Sequence, residues 1–253
     1  MKTQIAATPS GANPRSGTPA GRQGNARPKI IGIVFDFDGV IVQSAELKVQ
    51  AFAELYKDES PARIEEILAY QRLHTGVSRR EKFQHFERNL LSRECDAARV
   101  DALSSAFSAL VLEAVITCPF VPGAIEFLTR AKGHLPMHLV SGTPEDELLN
   151  IVALRSLDRF FDTVTGAPTT KSEAFRRIVA ASGQPGAAWL AVGDSVTELH
   201  ASHDTGMHFI GIAPHGEIPF PPDVPCLPSL VGLDALIDTN WMPGRPEPST
   251  DGP

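Results

Sequence analysis

Five short apolar runs punctuate the chain, at Ile31–Phe35, Met137–Val140, Thr163–Thr165, Trp189–Val192 and His208–Ile212. Between the last four, each gap holds one stretch of helical periodicity: Pro144–Arg155, Lys171–Ser182 and Val196–Thr205. Parallel strands need a crossover between them, usually a helix, so this alternation predicts an α/β fold: a parallel sheet with helices on both faces. The pattern breaks once. From Ser44 to Thr117 no strand signal occurs, only helical stretches at Ala45–Tyr56, Pro61–Arg72, Ser78–Leu91 and Asp96–Thr117. A helical stretch at Gly123–Lys132 then resumes the alternation. The expected organisation is a sheet core from 29–44 plus 118–239, interrupted by an α-helical cap at 45–117 that lies over the sheet's edge. Residues 1–28 and 240–253 are rich in Gly, Pro, Ser and Thr and read as disordered tails.

In open α/β sheets, ligands bind beyond the carboxyl ends of the strands. The residues that follow each strand are therefore the ones to collect. The first run ends in "FDFDG", giving Asp36 and Asp38; the second leads to Ser141, Gly142 and Thr143. The third leads across "GAPTT" to Lys171, and the fourth to Gly193, Asp194 and Ser195. Four segments would thus bring three carboxylates, a hydroxyl and an ammonium to one place. An "FDFDG" alone could be a strand closed by an Asx turn; the convergence is what speaks for chemistry.

Two carboxylates one residue apart repel unless a cation lies between them. Asp36, Asp38 and Asp194 form an oxygen-rich set suited to Mg²⁺, which takes one or two carboxylates, waters and phosphate oxygens. An aspartate can also attack phosphorus and form an aspartyl-phosphate. Asp36, at the strand's end, is the expected nucleophile and a metal ligand. Asp38, on the turn made by Gly39, is the expected general acid and then base, with its backbone carbonyl turned to the metal. Ser141 and the backbone N–H groups near Gly142 and Thr143 would hold the phosphoryl oxygens, and Lys171 would add a point charge to them and to Asp36. Thr143 is also placed to cap the helix opening at Pro144. Glu198, one turn beyond Asp194, could hold a metal-bound water or orient Lys171.

These stretches resemble the four motifs of the haloacid dehalogenase-like phosphohydrolase superfamily: "FDFDGVIVQS", "VSGT", Lys171 and "GDSVTE" stand in that order over about 29–237. The resemblance implies a Rossmann-like core, Mg²⁺ and an aspartyl-phosphate intermediate. A helical cap between the first two motifs resembles the phosphoglycolate phosphatase and β-phosphoglucomutase-like subgroup. Asp38 implies phosphate-ester chemistry, because family dehalogenases lack the second aspartate of the first motif. In the cap, "LHTGVSRREKF" resembles the mutase segment whose arginine holds the substrate's non-reacting phosphate, which gives that role to Arg79. "SAELK" resembles the segment in which a mutase histidine helps to poise the acid/base; here the residue is Lys48, a substrate-side candidate. The fourth motif departs from the mutase pattern: Gly193–Asp194 replaces its Glu–Asp pair, which favours hydrolysis over a hexose-phosphate mutase reaction, the alternative reading.

Composition limits the rest. A net charge of −7 argues against a nucleic-acid surface. No uninterrupted apolar stretch approaches the ~18 residues of a membrane span. Three widely spaced cysteines fit reduced thiols in a cytoplasm. The expected partner is a small phosphorylated metabolite, neither nucleic acid nor membrane, bound by a cytoplasmic monomer or homodimer.

Overall fold

A computed structural model describes residues 29–214 and 219–236. The tails expected at 1–28 and 240–253 lie outside the described residues, as do positions 237–239 of the expected core. Six parallel strands form one sheet: β1 (Gly32–Phe35), β2 (Met137–Pro144), β3 (Thr163–Ala167), β4 (Trp189–Gly193), β5 (His208–Ile212) and β6 (Cys226–Leu227), in spatial order β3-β2-β1-β4-β5-β6. The α/β class with a Rossmann-like parallel core is therefore as expected. The order reverses at β1, whose neighbours β2 and β4 carry the next site segments. Alternate side chains of one strand feed opposite faces. Ile33 and Phe35 join the cluster that holds Phe127, Leu128 and Leu139, whereas Val34 packs with Ala174, Phe175 and Leu199.

The first four helices after β1 are α1 (Ala45–Leu55), α2 (Pro61–Leu73), α3 (Arg79–His85), which runs on into a π-helical turn at Phe86–Leu90, and α4 (Ala97–Thr117). Ser60, Ser78 and Asp96 cap the last three by accepting backbone N–H bonds. The bundle closes around aromatic rings. Phe52 lies 4.4 Å from Phe107, 5.5 Å from Phe86 and 5.6 Å from Phe83 between ring centroids. By length and composition α4 could cross a membrane, which the sequence reading did not anticipate. Its buried residues Val100, Leu103, Phe107, Val111 and Val115 recur every three or four positions, which is the stripe of a helix packed against a core. Two chain segments join the bundle to the sheet side by side. Val121 donates its N–H to Ile41 (3.0 Å) and Gln43 donates to Pro119 (2.9 Å).

The remaining helices are α5 (Ala124–Ala131), α6 (Glu145–Leu154), α7 (Lys171–Ser182), α8 (Val196–Thr205) and α9 (Leu233–Leu236). Two departures from the sequence reading are informative. β2 runs on through Ser141–Thr143 to Pro144, with an irregular register against β3 after Val140. β6 and α9 were not expected, because two residues of strand and four of helix are too short to show a period.

Candidate active site

The opening "FDFDG" lies at the carboxyl end of β1. Asp36 follows the strand at once, its N–H donating to the Val192 carbonyl of β4 (2.9 Å), and its side chain is buried. The chain then turns: Gly39 has φ +77°, and its N–H donates to Val42 (2.8 Å). A Cβ at position 39 would stand 2.5 Å from Asp194 Oδ2, so glycine is required both for the backbone and for the room it leaves beside that carboxylate.

Lys171 enters from the start of α7, where Thr170 caps the helix by accepting from the Glu173 N–H. Its ammonium stands 3.1 Å from Asp36 Oδ1 and also pairs with Glu198, with all three side chains buried. Glu198 is fixed by the capping box of α8, its Oε2 accepting from the Ser195 N–H (3.0 Å). Asp36, Asp194 and Glu198 each offer an oxygen within 4.8 Å of the others, and Asp194 Oδ1 is buried without a hydrogen-bond partner. Burial raises the Asp36 carboxyl against the pull of Lys171. Burial also pushes Asp194 up to about 7; the Asp36 charge adds to the rise and Lys171 opposes it.

Asp38 turns to a different set of partners. It accepts from Ser44 Oγ and Lys48 Nζ, both from the start of the helical insert, and from Ser141 (3.4 Å) and Thr143 (3.3 Å) at the end of β2. Lys48 also donates to Thr143 Oγ1 (2.9 Å). Burial alone would raise Asp38, but the Lys48 charge and the hydrogen bonds from Lys48 and Ser44 outweigh it and hold the carboxyl below its usual range.

The insert supplies the opposite wall. Asp36, Asp38, Lys48, Arg79, Gly142, Thr143, Lys171 and Asp194 line a single pocket together with Phe52, Gln71, Thr75, Lys82 and Phe107. Ser141 is buried just behind it, against Asp38. Every residue expected from the sequence thus reaches one place, with four refinements. The carboxylate that completes the acidic group with Asp36 and Asp194 is Glu198, while the Asp38 side chain faces Lys48. Thr143 does not cap α6, which has no side-chain cap; its hydroxyl meets Lys48 and Asp38 instead. Its N–H is taken by Ser141 Oγ (3.1 Å). Arg79 lines the pocket, but its guanidinium grips Glu147 of α6 with two bonds (2.9 and 2.7 Å) and Ser108 with a third (2.6 Å).

Ser44, Gln71, Lys82 and Glu147 were not singled out from the sequence. Ser44 entered only as the last residue of the first motif. Lys82 stands three residues after Arg79, which puts both on one helical face. Nothing in the sequence marks Gln71 or Glu147.

Comparison with known proteins agrees with this geometry. The profile of the haloacid dehalogenase-like hydrolases matches residues 33–212. No curated protein sequence matches the chain. Among solved structures, CbbY from Rhodobacter sphaeroides in complex with phosphate has 18% identity and a TM-score of 0.62, covering 81% of this chain and 96% of its own. A protein from Haemophilus somnus described as a predicted phosphoglycolate phosphatase has 16% identity and a TM-score of 0.63, covering 82% and 98%. YfnB from Bacillus subtilis bound to magnesium has 15% identity and a TM-score of 0.63, covering 83% and 99%. At these identities the structures support the fold, and the profile match over most of the chain supports the lineage. The chain belongs to the haloacid dehalogenase-like hydrolase family.

Proposed function

We propose that this chain is a Mg²⁺-dependent phosphatase that hydrolyses a small phosphorylated metabolite, a sugar or organic-acid phosphate, through a phosphorylated Asp36. The observation that carries the reading is the meeting of Asp36, Asp38, Lys171 and Asp194 in one pocket, delivered by two strand ends and a helix start. Asp36 Oδ attacks phosphorus while the ester P–O bond breaks, and Asp38 protonates the departing alcohol oxygen. Asp38 then takes a proton from water, which attacks the same phosphorus and releases phosphate from Asp36. Lys171 opposes the rise that burial gives the Asp36 carboxyl and donates to the phosphoryl oxygens, as does Ser141. Lys48 holds Asp38 ionised before substrate arrives; a phosphate that draws this ammonium to itself lets Asp38 take up its proton.

The orphaned Asp194 Oδ1 and the crowding of Asp36, Asp194 and Glu198 fit a hard divalent cation. Mg²⁺ when bound supplies positive charge that offsets these carboxylates and the phosphoryl oxygens. The complex of YfnB with magnesium and those of CbbY with phosphate and of a CbbY mutant with xylulose-1,5-bisphosphate support a site of this kind. Gly193 supports hydrolysis over mutase turnover: a Cβ there would stand 2.5 Å from Glu198 Cγ, so the Glu–Asp form of the mutases does not fit beside the Glu198 side chain. A cytoplasmic location suits three free thiols.

The test is release of inorganic phosphate from p-nitrophenyl phosphate and a panel of phosphorylated metabolites with and without Mg²⁺. Turnover that needs the metal is the expected result, and no release from any ester would refute the reading. Asp38→Asn is expected to lower turnover of an alkyl phosphate by about 10²–10⁴-fold. With p-nitrophenyl phosphate the leaving group needs no proton, so the variant should give a burst of nitrophenolate and then stall; equal slowing of both esters without a burst contradicts the double role of Asp38.

Metal binding should also depend on pH. With its carboxyl raised to about 7, Asp194 favours the protonated folded form. That contribution to stability is complete below the ordinary carboxylate range and is lost as pH rises through 7. Mg²⁺ competes with that proton, so its rise in Tm should be larger at about pH 8 than at about pH 6. Equal rises at both would contradict the assignment of Asp194 as a ligand.

A further inference from the structure

The helical insert turns two polar side chains into the pocket whose hydrogen-bonding capacity the protein leaves partly unused. Lys82, on α3, is 3% exposed, and its ammonium makes one hydrogen bond, to the Thr75 carbonyl (3.1 Å). Among the described residues it forms no ion pair, although an ammonium carries three donors. Gln71, on α2, is also 3% exposed, and its Oε1 has no partner. Both line the pocket of Asp36 and Asp38, with the Phe52 and Phe107 rings beside them. A buried ammonium with no carboxylate and a buried carbonyl with no donor are each costly unless a ligand completes them.

Arg79, the cation the family resemblance offers for a second substrate anion, is already occupied. Glu147 takes it with two bonds, Ser108 bonds to both, and the guanidinium lies 4.9 Å from the Phe107 ring centroid. This buried pair ties α3 of the insert to α6 of the core and neutralises the charge. The pocket's cation without a carboxylate partner, on the insert side, is therefore Lys82.

We propose that Lys82 and Gln71 form the leaving-group subsite, Lys82 taking a negatively charged oxygen of the substrate's alcohol portion and Gln71 Oε1 accepting from a hydroxyl beside it. The inference rests on the phosphatase reading for its orientation, since Ser141, Lys171 and the end of β2 address the reacting phosphoryl group from the core and leave the insert side to the alcohol. It names the substrate class as a small phosphate ester that carries a second anionic group next to a hydroxyl. The lowering of the Lys82 ammonium to about 7, by burial first and then by Lys48 and Lys171, agrees with a site that lacks its counter-charge.

The experiment compares kcat and KM of the wild type, Lys82→Met, Lys82→Gln and Gln71→Leu on four esters: p-nitrophenyl phosphate, glycerol phosphate, a phosphorylated hydroxy acid and a sugar bisphosphate. The wild type is expected to prefer one of the last two, which identifies the anion as carboxylate or phosphate. Both Lys82 variants should lose about 10–10²-fold in kcat/KM on that ester, mainly through KM, and at least about tenfold more than on p-nitrophenyl phosphate. Lys82→Arg should restore part of the loss. Gln71→Leu should lose about tenfold more on the hydroxylated esters than on p-nitrophenyl phosphate. Parallel losses on all four esters, or a wild type with no preference for a second anion, would overturn the subsite. A wild type inactive on every ester defeats the phosphatase reading instead. The subsite is then read by calorimetric binding of the same four esters, where Lys82→Met must weaken the doubly anionic ones selectively or the proposal fails.

Discussion

Replacing Asp36 with asparagine is expected to reduce phosphate release by roughly 10⁴-fold or more while leaving the fold intact, because losing a covalent nucleophile removes the reaction path itself. The amide keeps the shape of the carboxyl but cannot attack phosphorus. Its effect on stability should be small or favourable. Burial already raises the Asp36 carboxyl, so the protein holds this charge at a cost that the neutral amide avoids. The variant should still bind phosphate esters, since Lys48, Lys171 and Ser141 are untouched. Steady-state turnover, thermal unfolding and calorimetric binding separate these outcomes. Turnover within about tenfold of the wild type would remove Asp36 from the role of nucleophile.

The second large effect is expected from Lys171→Met. Lys171 is the buried cation shared by Asp36 and Glu198. Its removal leaves two carboxylates beside Asp194 with no protein counter-charge, and breaking a buried pair in this way costs about 3–5 kcal/mol. The deficit should depend on pH. Without Lys171 the Asp36 carboxyl rises further, so the folded form gains a proton that the unfolded chain releases. The variant's stability is then retained at low pH and lost as pH rises through the folded pKa. Mg²⁺ should recover part of it at neutral pH. Turnover should fall by about 10²–10³-fold even where the variant is folded, because a donor to the developing phosphoryl charge is gone. A thermal midpoint equal to the wild type at about pH 8 would contradict the charge balance described here.

Much of the sheet was legible from local pattern. The five longer strands and the strand-free interval appear as short runs and their absence, clearest for β1 and β4, which are buried along their whole length and need a continuous apolar run, and weakest for the half-buried edge strand β3. The places of Asp36, Asp38, Lys171 and Asp194 followed from topology, because a parallel sheet sends every strand's carboxyl end to the same edge. What stayed hidden depends on packing between segments distant in sequence. Arg79 read as a free cation because its partner Glu147 lies on another helix 68 positions away. Lys82 went unmarked because no periodicity distinguishes a charge turned into a pocket from one turned to water. The acidic group of Asp36, Asp194 and Glu198 depended on which way Asp38 turned, and that was decided by Ser44 and Lys48 from the first turn of the insert.

The central claim is that the reacting phosphoryl group passes through the carboxylate of Asp36. Acid quench of the Asp38→Asn variant during turnover of a ³²P-labelled ester, followed by borohydride reduction and peptide mass spectrometry, tests it directly. Label held as an acyl phosphate, with homoserine found at position 36 after reduction, is the result expected. Homoserine at another aspartate, or turnover with no covalent label at any time point, would contradict it.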